Sequence, residues 1–153
     1  MGRALVVHPG FLFVSSLALA GVTQRYVPLP VATRLEALPV RIGLALLFAA
    51  AILLFAWCFR TFRRHATPVE PGSWPAALIT DGPFRFSRNP MYTTLLAISL
   101  ALAVVAGSLW FFAATATLAA ILDRIVIPRE EKVMSAAFGE AYERYRSLVR
   151  RWV

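Results

Sequence analysis

The sequence predicts an all-α integral membrane protein of about four transmembrane helices, the last two a tight helical hairpin, followed by a C-terminal amphipathic cytoplasmic helix. Three observations predict it. Hydrophobic residues make up 59% of the 153 positions and the mean hydropathy is +0.66. The apolar residues gather in three long stretches, one of them broken by Gly107-Ser108. The basic residues sit in blocks between those stretches rather than along one polar helix face. One small soluble core cannot cover so much apolar surface, and a bilayer is the simplest solvent for it. The chain reads as one domain over residues 1–153, with N-terminal transmembrane helices in 1–66 and the motif-bearing part in 67–153.

The first two stretches, residues 4–22 and 40–59, are each near the ~20 residues that cross ~30 Å of hydrocarbon. Ala18-Leu19-Ala20 imitates a signal-cleavage pattern, but His8-Pro9-Gly10 interrupts the stretch early and further apolar spans follow, so a retained helix is expected. Residues 24–39 hold Arg25, Arg34, Glu36 and three prolines, which is loop composition. The third stretch, 91–127, is too long for one crossing and reads as two helices joined at Gly107-Ser108. At ~1.5 Å per residue its first arm reaches only about 24 Å, short of the full hydrocarbon core. Beyond Pro128, the residues Met134, Phe138, Ala141, Tyr142, Tyr145, Leu148, Val149 and Trp152 recur at helical spacing. They predict one amphipathic tail helix over 129–150, whose other face carries Glu140, Glu143, Arg144, Ser147, Arg150 and Arg151 and suits the headgroup region.

Four crossings put the N-terminus, the 60–89 segment and the tail on one side. That side holds Arg3, Arg60, Arg63, Arg64, Arg85, Arg88 and the basic residues of the tail, against Arg25, Arg34 and Arg41 opposite, so the positive-inside rule makes it cytoplasmic. The formal charge of +8 therefore belongs to cytoplasmic loops, and no nucleic-acid partner is expected. The single cysteine, Cys58, lies in an apolar run and reads as a small buried hydrophobe; neither a disulfide framework nor a metal site is expected.

Two polar clusters flank the hairpin on the cytoplasmic side. The first runs through Thr67-Pro68-Val69-Glu70-Pro71 and then from Leu78 through Asp81-Gly82-Pro83-Phe84-Arg85-Phe86-Ser87-Arg88-Asn89-Pro90-Met91-Tyr92. The second is Ile127-Pro128-Arg129-Glu130-Glu131, followed by Phe138-Gly139-Glu140-Ala141-Tyr142-Glu143-Arg144-Tyr145 and ending in Val149-Arg150-Arg151-Trp152. Singly, Arg85 and Arg88 are ordinary positive-inside residues and Glu130-Glu131 ordinary first-turn acids. Together, the hairpin returns Tyr92 and Glu130 to the same membrane face. Asp81-Gly82-Pro83 supplies a turn, and Pro90 frees backbone groups at the helix start. A carboxylate at Glu130, the backbone around Asn89 and the faces of Phe84 and Tyr92 suit a ligand with hydroxyls, a flat purine and a positive charge.

The Gly-Pro-x-Arg-x-x-Arg-Asn-Pro-x-Tyr run, followed after a hairpin by Glu-Glu and Phe-Gly-x-x-Tyr-x-x-Tyr, resembles the isoprenylcysteine carboxyl methyltransferase family and the related phospholipid methyltransferases. The likeness covers residues 67–152; no glycine-rich loop of the soluble Rossmann-type methyltransferases is present. It implies an S-adenosylmethionine-dependent methyltransferase working on a lipidic acceptor held in the bilayer. The cofactor would be lined by Ala76, Ala77, Leu78, Ile79, Phe84, Asn89, Pro90, Met91, Tyr92 and Glu130, with Arg88, Glu130 and Glu131 as candidate catalytic residues. Asn89 stands where those enzymes commonly carry His. The Arg that grips the prenylcysteine carboxylate falls, without gaps, at Val126, leaving Arg124 and Arg129 as the nearest substrate ligands. A carboxylate acceptor needs only an Arg to hold it, whereas an amine needs a base such as Glu130 or Glu131. Two other readings stay open: an NADPH-binding membrane reductase of the sterol-reductase kind, and a small membrane scaffold without catalysis.

Overall fold

The computed structural model describes residues 8–35, 37–65 and 75–152. Thr67-Pro68-Val69-Glu70-Pro71, the start of the first apolar stretch and Glu36 lie outside those residues. Helix α1 spans Pro9–Tyr26 and α2 Leu38–Arg64. Each starts on a proline in its first turn, where the missing N–H has no intrahelical partner to lose. α1 opens on Pro9, residues 4–7 of the first apolar stretch lying outside those described, and α2 runs past Phe59 to Arg63 and Arg64, whose charges favour a helix C-terminus.

A short 3₁₀ turn, Gly82–Arg85, precedes α3, Pro90–Ala106, which ends on Gly107 in the left-handed conformation (φ 53°, ψ 41°). Helix α4, Leu109–Ile121, follows after Ser108, passes through a π-helical turn at Leu122–Val126, and continues as α5, Ile127–Phe138. The three pieces form one unbroken helix of 30 residues, Leu109–Phe138. Pro128 has no N–H to give the carbonyl four residues back, and its ring would crowd that carbonyl; the widened turn just before it absorbs both defects.

The expected single tail helix over 129–150 is corrected here. Gly139 adopts φ 51°, ψ −126°, a backbone region that essentially only glycine enters, and separates α5 from α6, Glu140–Leu148. Of the expected apolar face, Tyr142 and Tyr145 are buried, but Leu148 is exposed.

α3 lies between α2 and α4, and α4 also packs on α1. The core runs along α4 through Leu118, Leu122 and Val126, against Leu12 and Phe13 of α1, Tyr92 and Leu96 of α3, and Trp152. Outside that seam the helices turn large apolar side chains outward: Phe11, Leu19, Leu46 and Leu53 are each at least 65% exposed. Among the described residues two helices are long and apolar enough to cross a membrane, Leu38–Arg64 and Leu109–Phe138, and α3 is a shorter apolar helix. An outward-facing apolar surface of this kind is at equilibrium in lipid, not in water.

The turn between α3 and α4 is held by the α1–α2 connection. Val31 donates its N–H to the Gly107 carbonyl at 2.7 Å, and Leu109 donates to the Leu29 carbonyl at 2.9 Å. Ser108 donates to Gln24 Oε1 at 2.7 Å and Trp110 Nε1 to the Val27 carbonyl at 2.7 Å. A Cβ at Gly107 would stand 3.2 Å from the Val31 carbonyl oxygen, on top of the strain of its positive φ. Gly107→Ala is therefore expected to destabilise the fold by about 1–2 kcal/mol. Gly43→Ala, where an added Cβ meets nothing within 4 Å, should stabilise it by roughly 0.5–1 kcal/mol. Thermal unfolding in detergent checks the pair, and equal melting temperatures would contradict this account of the turn.

Candidate functional site

The site forms where α3 begins and α4 runs into α5. Upstream, Gly82 has φ 56°, and a Cβ there would lie 2.7 Å from Thr61 Oγ1, so only glycine lets the loop sit directly on α2. Phe84 meets Phe62 of α2 edge-on at 5.4 Å, and its carbonyl accepts the Tyr145 hydroxyl at 2.7 Å. Burial pushes the Tyr145 hydroxyl above its ordinary pKa, so it stays a neutral donor. The loop is also joined to the end of α2 by a 2.8 Å contact between His65 Nε2 and Asp81.

Residues 87–89 then run beside the end of the tail. Arg88 N–H donates to the Arg150 carbonyl at 2.9 Å, while Ser87 Oγ and Asn89 Nδ2 both donate to the Arg151 carbonyl at 3.1 Å. Side chains complete the junction. Arg88 Nη2 pairs with Glu131 at 3.1 Å, and both side chains are about nine-tenths buried. Arg151 forks the same carboxylate, with Nε at 3.2 Å and Nη2 at 2.8 Å. Its Nη1 reaches Asp123 of the π turn at 3.2 Å, and Trp152 Nε1 donates to the same carboxylate at 2.9 Å. The hydrogen bond to Glu131 leads the causes that raise the Arg151 pKa above its ordinary value, so the guanidinium stays charged. Arg88 has two further donors, Nε and Nη1, that are buried and meet no protein acceptor among the described residues.

One turn away from Arg88, the Tyr92 hydroxyl donates to Glu130 Oε1 at 2.5 Å, joining the two sequence clusters directly. That bond leaves Glu130 Oε2 as an acceptor for another donor. Asn89, Tyr92, Arg88, Glu130 and Glu131 thus meet in one network. Pro90 and Ile79 are buried, Met91, Ala77 and Leu78 are half-buried, and Ala76 is exposed. Arg124 is 83% exposed and pairs with its neighbour Asp123 at 3.5 Å. Arg129 is exposed too, and neither bonds to Arg88, Glu130 or Glu131. Asp123, Ser87 and the roles of Arg151 and Trp152 escape sequence reasoning. A signal was there: Asp123 is an acid inside a long apolar stretch, where it requires a partner.

A groove of about 480 Å³ opens between α2, α3 and α4, lined by Leu47, Thr93, Leu96, Ala97, Phe112 and Thr115 among others. Its walls are apolar, since Thr93 and Thr115 turn their hydroxyls back to the carbonyls of Asn89 and Phe111. None of the charged site residues lines it, though Thr93 directly follows Tyr92 in α3.

No solved structure matches the chain. An uncharacterized protein of Haemophilus influenzae is 33% identical over 63 residues, which is 41% of this chain and 100% of that protein. The model of the phospholipid methyltransferase family matches residues 40–141, more than half of the chain, taking in α2 as well as the polar clusters around α3 and α5. The chain therefore belongs to the phospholipid methyltransferase family, a family of membrane methyltransferases and the group to which its motifs point.

Proposed function

We propose that this protein transfers a methyl group from S-adenosylmethionine to the carboxylate of a lipidic acceptor, isoprenylcysteine-like or related, held in the bilayer. The observation that carries the reading is the Tyr92–Glu130 hydrogen bond, which unites the two family-typical clusters in one polar site at the end of the bundle. The residues fit the cofactor. Glu130 offers an acceptor oxygen to ribose hydroxyls or an ammonium, Asn89 and Tyr92 sit beside it, and Arg88 offers two buried N–H donors suited to a carboxylate. When bound, the cofactor supplies an electrophilic sulfonium methyl; the protein contributes alignment and exclusion of water.

The choice of a carboxylate over an amine follows from the acids. Glu131 is held by two guanidinium groups and Glu130 by the Tyr92 hydroxyl, so neither is an unencumbered base. An acceptor that is already deprotonated needs none. The reading includes four crossings, with α3 and α4 as a hairpin and the site facing the cytoplasm. The cofactor then enters from the cytosol beneath the loop before α3 and the tail. The acceptor's chain enters sideways through the groove between α2, α3 and α4, because drawing it into water would cost about 0.8 kcal/mol per methylene.

Three outcomes test this. Glu130→Ala should weaken S-adenosylhomocysteine binding by about 1.5–3 kcal/mol, roughly ten- to a hundredfold, by calorimetry on detergent-purified protein; unchanged affinity refutes the pocket. Membranes given radiolabelled methyl donor should yield lipid-extractable label that mild base releases, as it does from a methyl ester; base-stable label would move the acceptor to an amine. Ala97→Phe, which fills the groove, should slow lipid methylation and leave S-adenosylhomocysteine affinity as in wild type, and loss of both would show that the groove and cofactor site are not separate.

A further inference from the structure

Arg151 has no part in the reaction just described, yet it joins every segment of the site. Its carbonyl accepts from Ser87 and from the Asn89 side chain, at 3.1 Å each, at the start of α3. Its Nη1 takes Asp123 of the π turn at 3.2 Å, and also reaches the Asp123 carbonyl at 3.4 Å. Its Nε and Nη2 take both oxygens of Glu131 on α5 at 3.2 and 2.8 Å. The chain is extended here, Val149 having φ −117°, ψ 132°, so the end of the tail lies as a strap across the junction.

We infer that Arg151 is a positioning residue: from outside the ligand pocket it fixes Asn89 on one side and Glu130-Glu131 on the other at the spacing a shared ligand requires. The inference rests on the methyl-donor reading above. The planar fork is what the role demands. Glu131 must be gripped through both oxygens while Asp123 is held by the remaining nitrogen, and a lysine ammonium, a point charge on a flexible stem, cannot do both at fixed angles. Trp152 anchors the same strap separately, through its 2.9 Å bond to Asp123, so strap attachment and the Arg151 fork can be tested apart.

A positioning role and a purely structural one differ in what they move. The experiment measures S-adenosylhomocysteine affinity, KM and kcat well below each variant's melting temperature in detergent. Arg151→Ala is expected to lose about 10- to 100-fold in affinity, the usual scale for misplacing binding groups by around an ångström. It should raise the KM for the methyl donor more than it lowers kcat. Arg151→Lys should rescue the melting temperature but not the affinity. Trp152→Phe should lower the melting temperature and keep wild-type affinity. In a Glu130→Ala background, Arg151→Ala should lose most of its effect on affinity, since it acts largely through that carboxylate. If wild-type protein binds the ligand but Arg151→Ala, or Arg151→Lys should the alanine variant not fold, binds equally well, the positioning role is overturned alone. If wild-type protein does not bind it, the methyl-donor reading falls and this inference with it.

Discussion

A carboxylate shared by two guanidinium groups is the interaction on which the rest of this molecule's polar end depends. Glu131 is nine-tenths buried, and one charge in that environment is untenable alone; the partners Arg88 and Arg151 come from the loop before α3 and from the last residues of the tail. Asp123 supplies the second negative charge through Arg151. Removing one partner from a buried pair costs roughly 3–5 kcal/mol, more than any single surface contact gives back. The loop before α3, α5 and the end of the tail, distant from one another in the sequence, are thereby locked together at one end of the bundle. The Tyr92–Glu130 bond inherits its geometry from this lock, because Glu130 is the neighbour of Glu131 and Tyr92 begins the helix that Arg88 and Asn89 lead into.

The other end of the bundle is organised by different means. There the backbone of residues 29–31 pairs with the Gly107-Ser108 turn, and Gln24 receives both the Ser108 hydroxyl and the Leu29 N–H. In a bilayer such groups have no water to fall back on, so a turn at the end of apolar helices must find its partners within the protein. The α1–α2 connection provides them. With one end tied by backbone and amide bonds and the other by ion pairs, the lipid-facing sides of the helices need contribute nothing specific, and they carry the scattered large apolar residues that a lipid solvent permits.

Much of this was legible in the sequence because it depends on local rules. Apolar length marked α2 and the apolar part of the long helix, Pro90 marked the start of α3, and Gly107 marked its stop. The joining of Tyr92 to Glu130 was legible for the same reason: two helices meeting at a two-residue turn return their outer ends to one place. What was not legible depends on long-range pairing. The break at Gly139 looked like one more residue of an amphipathic pattern, since periodicity survives a change of helix direction. Arg151 looked like a headgroup-facing charge, and only the tertiary course of the strap turns it inward. Arg124 and Arg129 fitted the chemistry by type and position, but the structure exposes both, while Arg88 presents buried donors.

The reason for that division lies in the π turn. Four residues along an α-helix overshoot a full turn by about 40°, so Leu118, Leu122, Val126 and Glu130 would wind steadily away from α3 in a regular helix. A π turn holds more residues per revolution and takes up part of the overshoot. Leu118, Leu122 and Val126 remain in one buried seam, and Glu130 arrives at Tyr92 at the end of it. The same turn sets Asp123 toward Arg151 and Trp152 and leaves Arg124 and Arg129 pointing out. Position 126 of the long helix is therefore a core position, and 124 and 129 are outward ones. Val126, where the match places an anion-gripping Arg, is a core side chain at 6% exposure, and the guanidinium that lies inside with donors to spare comes from the opposite wall. Among the described residues, the buried guanidinium donors at this end of the bundle thus belong to Arg88, carried by the loop before α3.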